Sequence, residues 1–387
     1  MKKTNKIILL FNCPFVEGFV HKYCLEEIIE LGYSLTIADL SNVLEKKYSN
    51  KTTANLAVTK DFEIIKFNTY KGIAKFIKEN KEKALFLPMF DFIYPARRIF
   101  YLFTKYKVHY GYVNNLLPSL FTPAENAGIV IKKDKFNLQH LKAAMFHRIW
   151  RKILPYRRAD FMFFSSNNGE KFLLSEGACG KKTKKIYLYS FEYENFMKTP
   201  GYENDKKYGV FIDQYIPYHP DNTVHANIHI DPQKYFKELD EILTTIKKLY
   251  NIEIIIAAHP QANYSENKYL NKYKIEYGKT AELVKNSELV CTHFSTAVVF
   301  AVMAQKKLIL INNDTLRPYE KFQDGINFIE KKIRCPVYHN AEEILQQNVL
   351  CQMNTDNSLD FMKLFIASVD KNELYLWERV FNNIFEV

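Results

Sequence analysis

The sequence predicts an α/β protein of two doubly wound domains, and three observations carry that reading. Short apolar runs rich in β-branched residues alternate with stretches of helical spacing along most of the chain. Short strands separated by helices in this way are the pattern of a parallel sheet covered on both faces. The alternation stops in one polar stretch near the middle and then restarts, so two sheets are expected rather than one.

In order, "KIILLF" (6–11) reads as a strand, 18–31 as a helix, "SLTIAD" (34–39) and "DFEIIKF" (61–67) as strands, 70–82 as a helix and "ALFLPMF" (84–90) as a strand. "KVHYGYV" (107–113) and "ADFMFFSS" (159–166) add two more strands. Between them, residues 140–158 set Leu141, Met145, Ile149 and Ile153 at helical spacing amid Lys142, Arg148, Arg151, Lys152, Arg157 and Arg158. That is an amphipathic basic helix, which either packs on the sheet or docks on an anionic membrane, with Trp150 suited to an interface. "MKTPGYENDKKYG" (197–209) reads as the linker. Beyond it come "GVFIDQYI" (209–216), a helix over 232–249, "IEIIIAA" (252–258), "KIEYG" (274–278), a helix over 280–286, "ELVCTHF" (288–294), a helix over 295–304 and "KLILIN" (307–312). The expected domains are 1–198 and 207–345, with the apolar helical segment 360–387 crossing back onto the first.

With 387 residues, 47% of them hydrophobic, the chain can fill two cores without staples. Six cysteines lie scattered with no C-x-x-C pair, which suggests neither a zinc knuckle nor a disulfide framework and fits a reducing cytoplasm. The apolar run in "MKKTNKIILLFNCPF" breaks at Asn12, too soon for a signal-peptide core, and no 18-residue apolar segment occurs elsewhere. A net charge of +11 predicts attraction to something anionic: nucleic acid, an acidic leaflet or a phosphorylated substrate. No nucleic-acid-binding motif is recognisable. The 26 tyrosines and 30 phenylalanines are mostly expected in the cores.

Ligands of open α/β sheets bind beyond the carboxyl ends of the strands. His259 follows the strand 252–258 directly, and Pro260 stops that strand, so the imidazole is expected in the crevice. Ser295 and Thr296 open the helix after "ELVCTHF", where hydroxyls and free N–H groups suit an anion. Read alone, a His-Pro pair is a turn and a Ser-Thr pair a cap; in one domain they describe a phosphate cradle. Glu282, in the first turn of its helix, either contacts a bound ligand or complements the helix dipole. His293 either reaches that ligand or is a core histidine paired with a backbone group. Ser165 and Ser166 either touch a second ligand or cap a helix. Candidate general bases are the strand-end carboxylates Asp213 and Asp91, then Glu17. The loop "IDQYIPYHPD", with His219 and Tyr218 between prolines, is expected to be rigid.

The order His259-Pro260, Thr280-Ala281-Glu282-Leu283, Ser295-Thr296 and "KKLILIN", spanning about 207–315, resembles bacterial GT-B glycosyltransferases of the sialyltransferase and capsule type; CDP-glycerol polymer transferases share a similar layout. The resemblance implies two Rossmann-like domains facing across a cleft, with His259, Ser295 and Thr296 holding the phosphate of a CMP-activated donor and Pro260 and Glu282 in the same donor-binding set. The implied reaction is inverting transfer of a sugar, a sialic-acid-like nonulosonate, to lipopolysaccharide or capsule, with a nucleotide sugar as co-substrate and no separate cofactor. No D-x-D occurs in the chain, so a divalent-metal clamp has no support in the sequence. The location implied is cytoplasmic, peripheral to the inner leaflet if the basic helix docks there. Rival readings are a polyol-phosphate transferase or nucleotide-sugar epimerase on the same fold, and a membrane-docking scaffold without catalysis.

Overall fold

The structure, a computed structural model, describes residues 4–44, 62–90, 96–113, 156–176, 179–219, 222–223, 228–347, 355–367 and 375–385. The described residues form two compact units, the first holding those up to Asn195 and those from Lys363 onward, the second those within Phe196–Met362. The amphipathic basic segment expected over 140–158 lies outside the described residues except for 156–158, which have no regular structure.

The first unit runs β1 (Lys6–Phe11), α1 (Gly18–Lys22), α2 (Leu25–Glu30), β2 (Ser34–Asp39), α3 (Ser41–Leu44), β3 (Glu63–Lys66), α4 (Tyr70–Asn80), β4 (Leu85–Pro88), α5 (Arg97–Tyr106), β5 (Gly111–Val113), β6 (Phe161–Phe164), α6 (Asn167–Glu176) and β7 (Lys184–Tyr187). The strands pair in parallel in the orders β3-β2-β1-β4 and β5-β6-β7, and a parallel bridge between Phe86 and Tyr110 links the two runs. Parallel pairing requires crossovers, which the intervening helices supply. The helix expected over 18–31 is two helices, because Cys24 adopts the left-handed conformation (φ 50°) between them. The helix Leu376–Phe385 buries Trp377, Val380 and Phe381 in this unit, and the Trp377 indole donates to the carbonyl of Tyr23 (2.8 Å).

After α7 (Phe191–Lys198), which spans the division, the second unit runs β8 (Tyr208–Ile212), α8 (Pro232–Tyr250), β9 (Glu253–Ala258), β10 (Lys274–Tyr277), α9 (Thr280–Asn286), β11 (Leu289–Thr292), α10 (Val298–Met303), β12 (Lys307–Ile311), α11 (Glu320–Ile333), β13 (Val337–Tyr338) and α12 (Ala341–Gln347). All pair in parallel, in the order β10-β9-β8-β11-β12-β13. This is the 3-2-1-4-5-6 order of a Rossmann sheet, whose topological switch falls between its first and fourth strands, here β8 and β11.

Local chemistry fixes these elements. Asp231 caps α8 by accepting from the N–H groups of Gln233 and Lys234, Pro232 sits in the first turn, and Asn251 ends the helix in the left-handed region (φ 49°). Tyr235, Leu239, Ile242 and Ile246 then recur at three- and four-residue intervals and pack in one core with Ile254, Ile256 and Leu289. Each such buried side chain contributes roughly 1.5–3 kcal/mol of transfer free energy. Every residue of β8 and all but the first of β9 are buried, so these strands have helices on both faces and only their ends reach solvent.

Candidate functional site

The loop that leaves β8 at the switch point is the hub of the second unit's carboxyl edge. Asp213, only 6% exposed, accepts from three donors. Its Oδ1 receives the N–H of Tyr215 (2.9 Å), and its Oδ2 receives the N–H of His259 (3.1 Å) and the hydroxyl of Tyr264 (2.7 Å). Burial pushes the pKa of this carboxyl above its ordinary value, while the three hydrogen bonds and the nearby His259 hold it down. Both oxygens are thus engaged, and the carboxylate, considered from the sequence as a base, sits where it fixes the end of β9. The next residue ties the other neighbour: the Gln214 side-chain oxygen accepts from the N–H of Phe294 (2.9 Å), just past β11. One short loop therefore holds both flanking strand ends in register. Tyr215, which follows, has φ 51°, a left-handed conformation that costs a non-glycine residue roughly 1–2 kcal/mol.

His259 stands at the end of β9, half-buried. Its Nδ1 accepts the N–H of Gln261 (3.2 Å), which leaves the proton of the neutral ring on Nε2 and makes that nitrogen a donor. Pro260 follows, exposed, and turns the chain. The Tyr215 ring lies nearly parallel to the imidazole (8°, centroids 6.3 Å apart), and the His219 ring meets it edge to face at 5.1 Å. Burial, then the charge of His219, lower the pKa of His259, with Asp213 opposing. At neutral pH the ring is mainly neutral and presents one N–H donor.

The Ser-Thr segment differs in detail from the sequence expectation. The helix begins at Val298, and Ser295 and Thr296 form a turn ahead of it, with the Ser295 carbonyl accepting from Val298 and its Oγ from the N–H of Ala297 (3.2 Å). Thr296 is exposed. Because β9 and β11 flank β8, the strands that lead to His259 and to this turn run two strand spacings apart, about 9–10 Å. The Phe294 ring packs against Gly325 of α11, where a Cβ would come within 2.9 Å of it.

Other candidates fall elsewhere. His293 is fully buried, its Nδ1 donating to the carbonyl of Ile311 (2.7 Å) and its Nε2 accepting from Tyr235 (2.8 Å); burial lowers its pKa to about 4, and it is a core residue. Glu282 lies in the first turn of α9, half-buried, with its carbonyl accepting from Tyr202. Asp91 lies outside the described residues. Glu17 is exposed before α1 in the first unit, and there Ser166 accepts from the N–H of Gly169 (3.0 Å), capping α6. Sequence reasoning passed over Gln214, Tyr215 and Tyr264, and weighed His219 only as part of a loop. Among the described residues no group of three or more His, Cys, Asp or Glu is placed to hold a metal ion, and no helix is long and apolar enough to cross a membrane.

No protein-family model matches the chain, and no curated protein matches it in sequence. Solved structures do match in fold. The wall teichoic acid polymerase TagF superposes with a TM-score of 0.58 at 12% identity, covering 99% of this chain and 90% of that one. A variant of the same polymerase soaked with CDPG gives 0.54 at 14% identity, over 100% and 90% of the two chains. A UDP-GlcNAc 2-epimerase from Methanocaldococcus jannaschii gives 0.48 at 14% identity over 92% and 98%, a score too low to argue from. The chain therefore has an α/β fold of two Rossmann-like units built in the GT-B manner.

Proposed function

We propose that the protein is a GT-B transferase that moves a sugar from a nucleotide donor to a surface glycan with inversion and without a metal ion. The observation that carries this reading is the β8 loop at the switch point, which holds the N–H of His259 and that of Phe294, the residue before the Ser295-Thr296 turn, where nucleotides bind in Rossmann sheets. Cleavage of a sugar–phosphate bond builds negative charge on the phosphate oxygens. The Nε2–H of His259 and the donors of the turn stabilise that charge where it develops, and in its protonated form His259 can pass a proton to the leaving phosphate. Glu282 is proposed to accept from ribose hydroxyls and Pro260 to shape the pocket beside the phosphate. Asp213, with both oxygens satisfied, acts as a positioning residue for His259; Asp91 is then the proposed base toward the acceptor hydroxyl.

The donor proposed is a CMP-activated nonulosonate, and the acceptor a lipopolysaccharide or capsule glycan; the net charge of +11 suits an acidic donor and an anionic, lipid-linked acceptor. The proposed site of action is the cytoplasmic face of the membrane. A second reading, favoured by the likeness to a teichoic acid polymerase, is transfer of a polyol phosphate from a CDP-linked donor. The two differ in their product, since only the second leaves phosphate in the polymer.

The test is a thermal-shift screen of the full chain against CMP, CDP, UDP and GDP, repeated with the donor sugars of whichever nucleotide responds. A ligand that binds only the folded form raises the midpoint according to its occupancy. A selective response to CMP, lost in His259→Ala, and transfer that persists in EDTA are expected. Full transfer by His259→Ala, or an absolute need for added Mg²⁺ or Mn²⁺, would overturn the reading.

A further inference from the structure

The β8 loop brings a second imidazole to His259, and the chain is built to keep it there. His219 donates its N–H to the Tyr215 carbonyl (2.9 Å), and its own carbonyl accepts from Asn222 (2.9 Å) and Thr223 (3.1 Å). The Asn222 side chain donates back to the Ile216 carbonyl and receives Lys321 from α11. Pro217 stiffens the approach, and Tyr215 takes a strained left-handed conformation in the same turn. Strain held at a single position by so many bonds marks a loop whose geometry is specified rather than incidental.

We propose that His219 and His259 form one anion-binding pair, two imidazoles on adjacent strand-end loops that together contact a single phosphate group. This rests on the reading above only for whose phosphate it is, a nucleotide's. The ring centroids are 5.1 Å apart at 78°, in edge-to-face contact, so the two imidazoles border one spot at the strand ends, where they can address different oxygens of one tetrahedral group. Without an anion, the charge of His219 works against protonation of His259. With an anion on the pair, His259 takes up a proton from solvent and the imidazolium pairs with the phosphate oxygens. Of the titratable groups around the pair, Tyr215 stacks near the His259 ring and Asp213 accepts the His259 N–H, while Tyr218 and Tyr264 pack on Tyr215 and Lys321 of α11 binds Asn222.

The experiment uses calorimetric titration of the full chain with CMP and with inorganic pyrophosphate from pH 5.5 to 8.5, for wild type, His219→Gln, His219→Lys and His259→Gln. Imidazole resonances are followed by NMR in the absence of ligand. Affinity is expected to rise as pH falls, His219→Gln to weaken binding about tenfold at pH 6 and little at pH 8.5, and His219→Lys to keep binding while flattening its pH dependence. The His259 titration midpoint is expected to rise in His219→Gln. CMP binding unchanged by His219→Gln at every pH overturns the pair and leaves the nucleotide reading intact. Pyrophosphate binding that needs both histidines, with no response to any nucleotide, upholds the pair and overturns the nucleotide reading. Loss of affinity in His219→Gln equal at all pH values, with an unmoved His259 midpoint, assigns His219 a merely structural part and overturns the pair.

Discussion

Replacing Asp213 with asparagine separates a positioning residue from a base. The carboxylate accepts three hydrogen bonds, from the N–H groups of Tyr215 and His259 and from the Tyr264 hydroxyl. An amide of the same shape offers one oxygen and one NH₂. If the NH₂ faces Tyr264, that hydroxyl can turn and accept, but the His259 N–H loses its acceptor; if it faces Tyr215, that N–H loses its own. Either orientation strands one partly buried backbone donor, at about 1–3 kcal/mol. The local opening equilibrium of the β8 and β9 ends should therefore rise roughly 5- to 150-fold, read as faster hydrogen exchange in peptides covering 209–216 and 253–264. Tyr264→Phe removes one bond to the same carboxylate and should act in the same direction, by about 1.5 kcal/mol. A true base would behave otherwise, with turnover abolished and exchange unchanged. Exchange in Asp213→Asn indistinguishable from wild type would refute the reasoning.

Two further outcomes follow from the same unit. His293 is fully buried with its pKa lowered from 6.5 to about 4, so between those values the unfolded chain binds a proton that the folded one excludes. Stability is therefore whole above pH 6.5 and is lost as pH falls toward 4, by roughly 3 kcal/mol at the lower end. The thermal midpoint of the second unit should drop across that window and drop less in His293→Gln; an equal drop in both would exclude His293 as the cause. Gly325→Ala would place a Cβ within 2.9 Å of the Phe294 ring, and overpacking of about 1–3 kcal/mol outweighs the gain in helix propensity of roughly 1 kcal/mol. Because Phe294 carries the N–H that Gln214 holds, this variant should melt lower and bind nucleotide more weakly; unchanged affinity would break the inferred link.

Much of the architecture was legible in the residues. Runs such as Ile254–Ala258 and Leu308–Ile311 are apolar on both faces, and they are parallel strands buried on both faces. What escaped had no local signature. Asp213 looks like any strand-end carboxylate, and its partners His259 and Tyr264 are 46 and 51 residues away. The break at Cys24 needs a left-handed residue that is neither glycine nor asparagine, and no periodicity announces it. The late start of α10 arises because Ser295 spends its hydroxyl on Ala297 in a turn rather than on a helix. β13 has two residues, too short for any alternation to register. His219 is placed by a loop whose course depends on Asn222 and Lys321, which sequence spacing does not disclose.

The helix Leu376–Phe385 belongs with strands of which the last, β7, ends at Tyr187, far earlier in the chain. On a ribosome the second unit is complete before Trp377 exists. The segment contiguous in sequence can thus mature first, while the earlier half waits with its Tyr23 carbonyl and α2 surface uncovered. A message cut short before Leu376 would therefore yield a finished second unit joined to a first whose Tyr23 carbonyl lacks its indole donor.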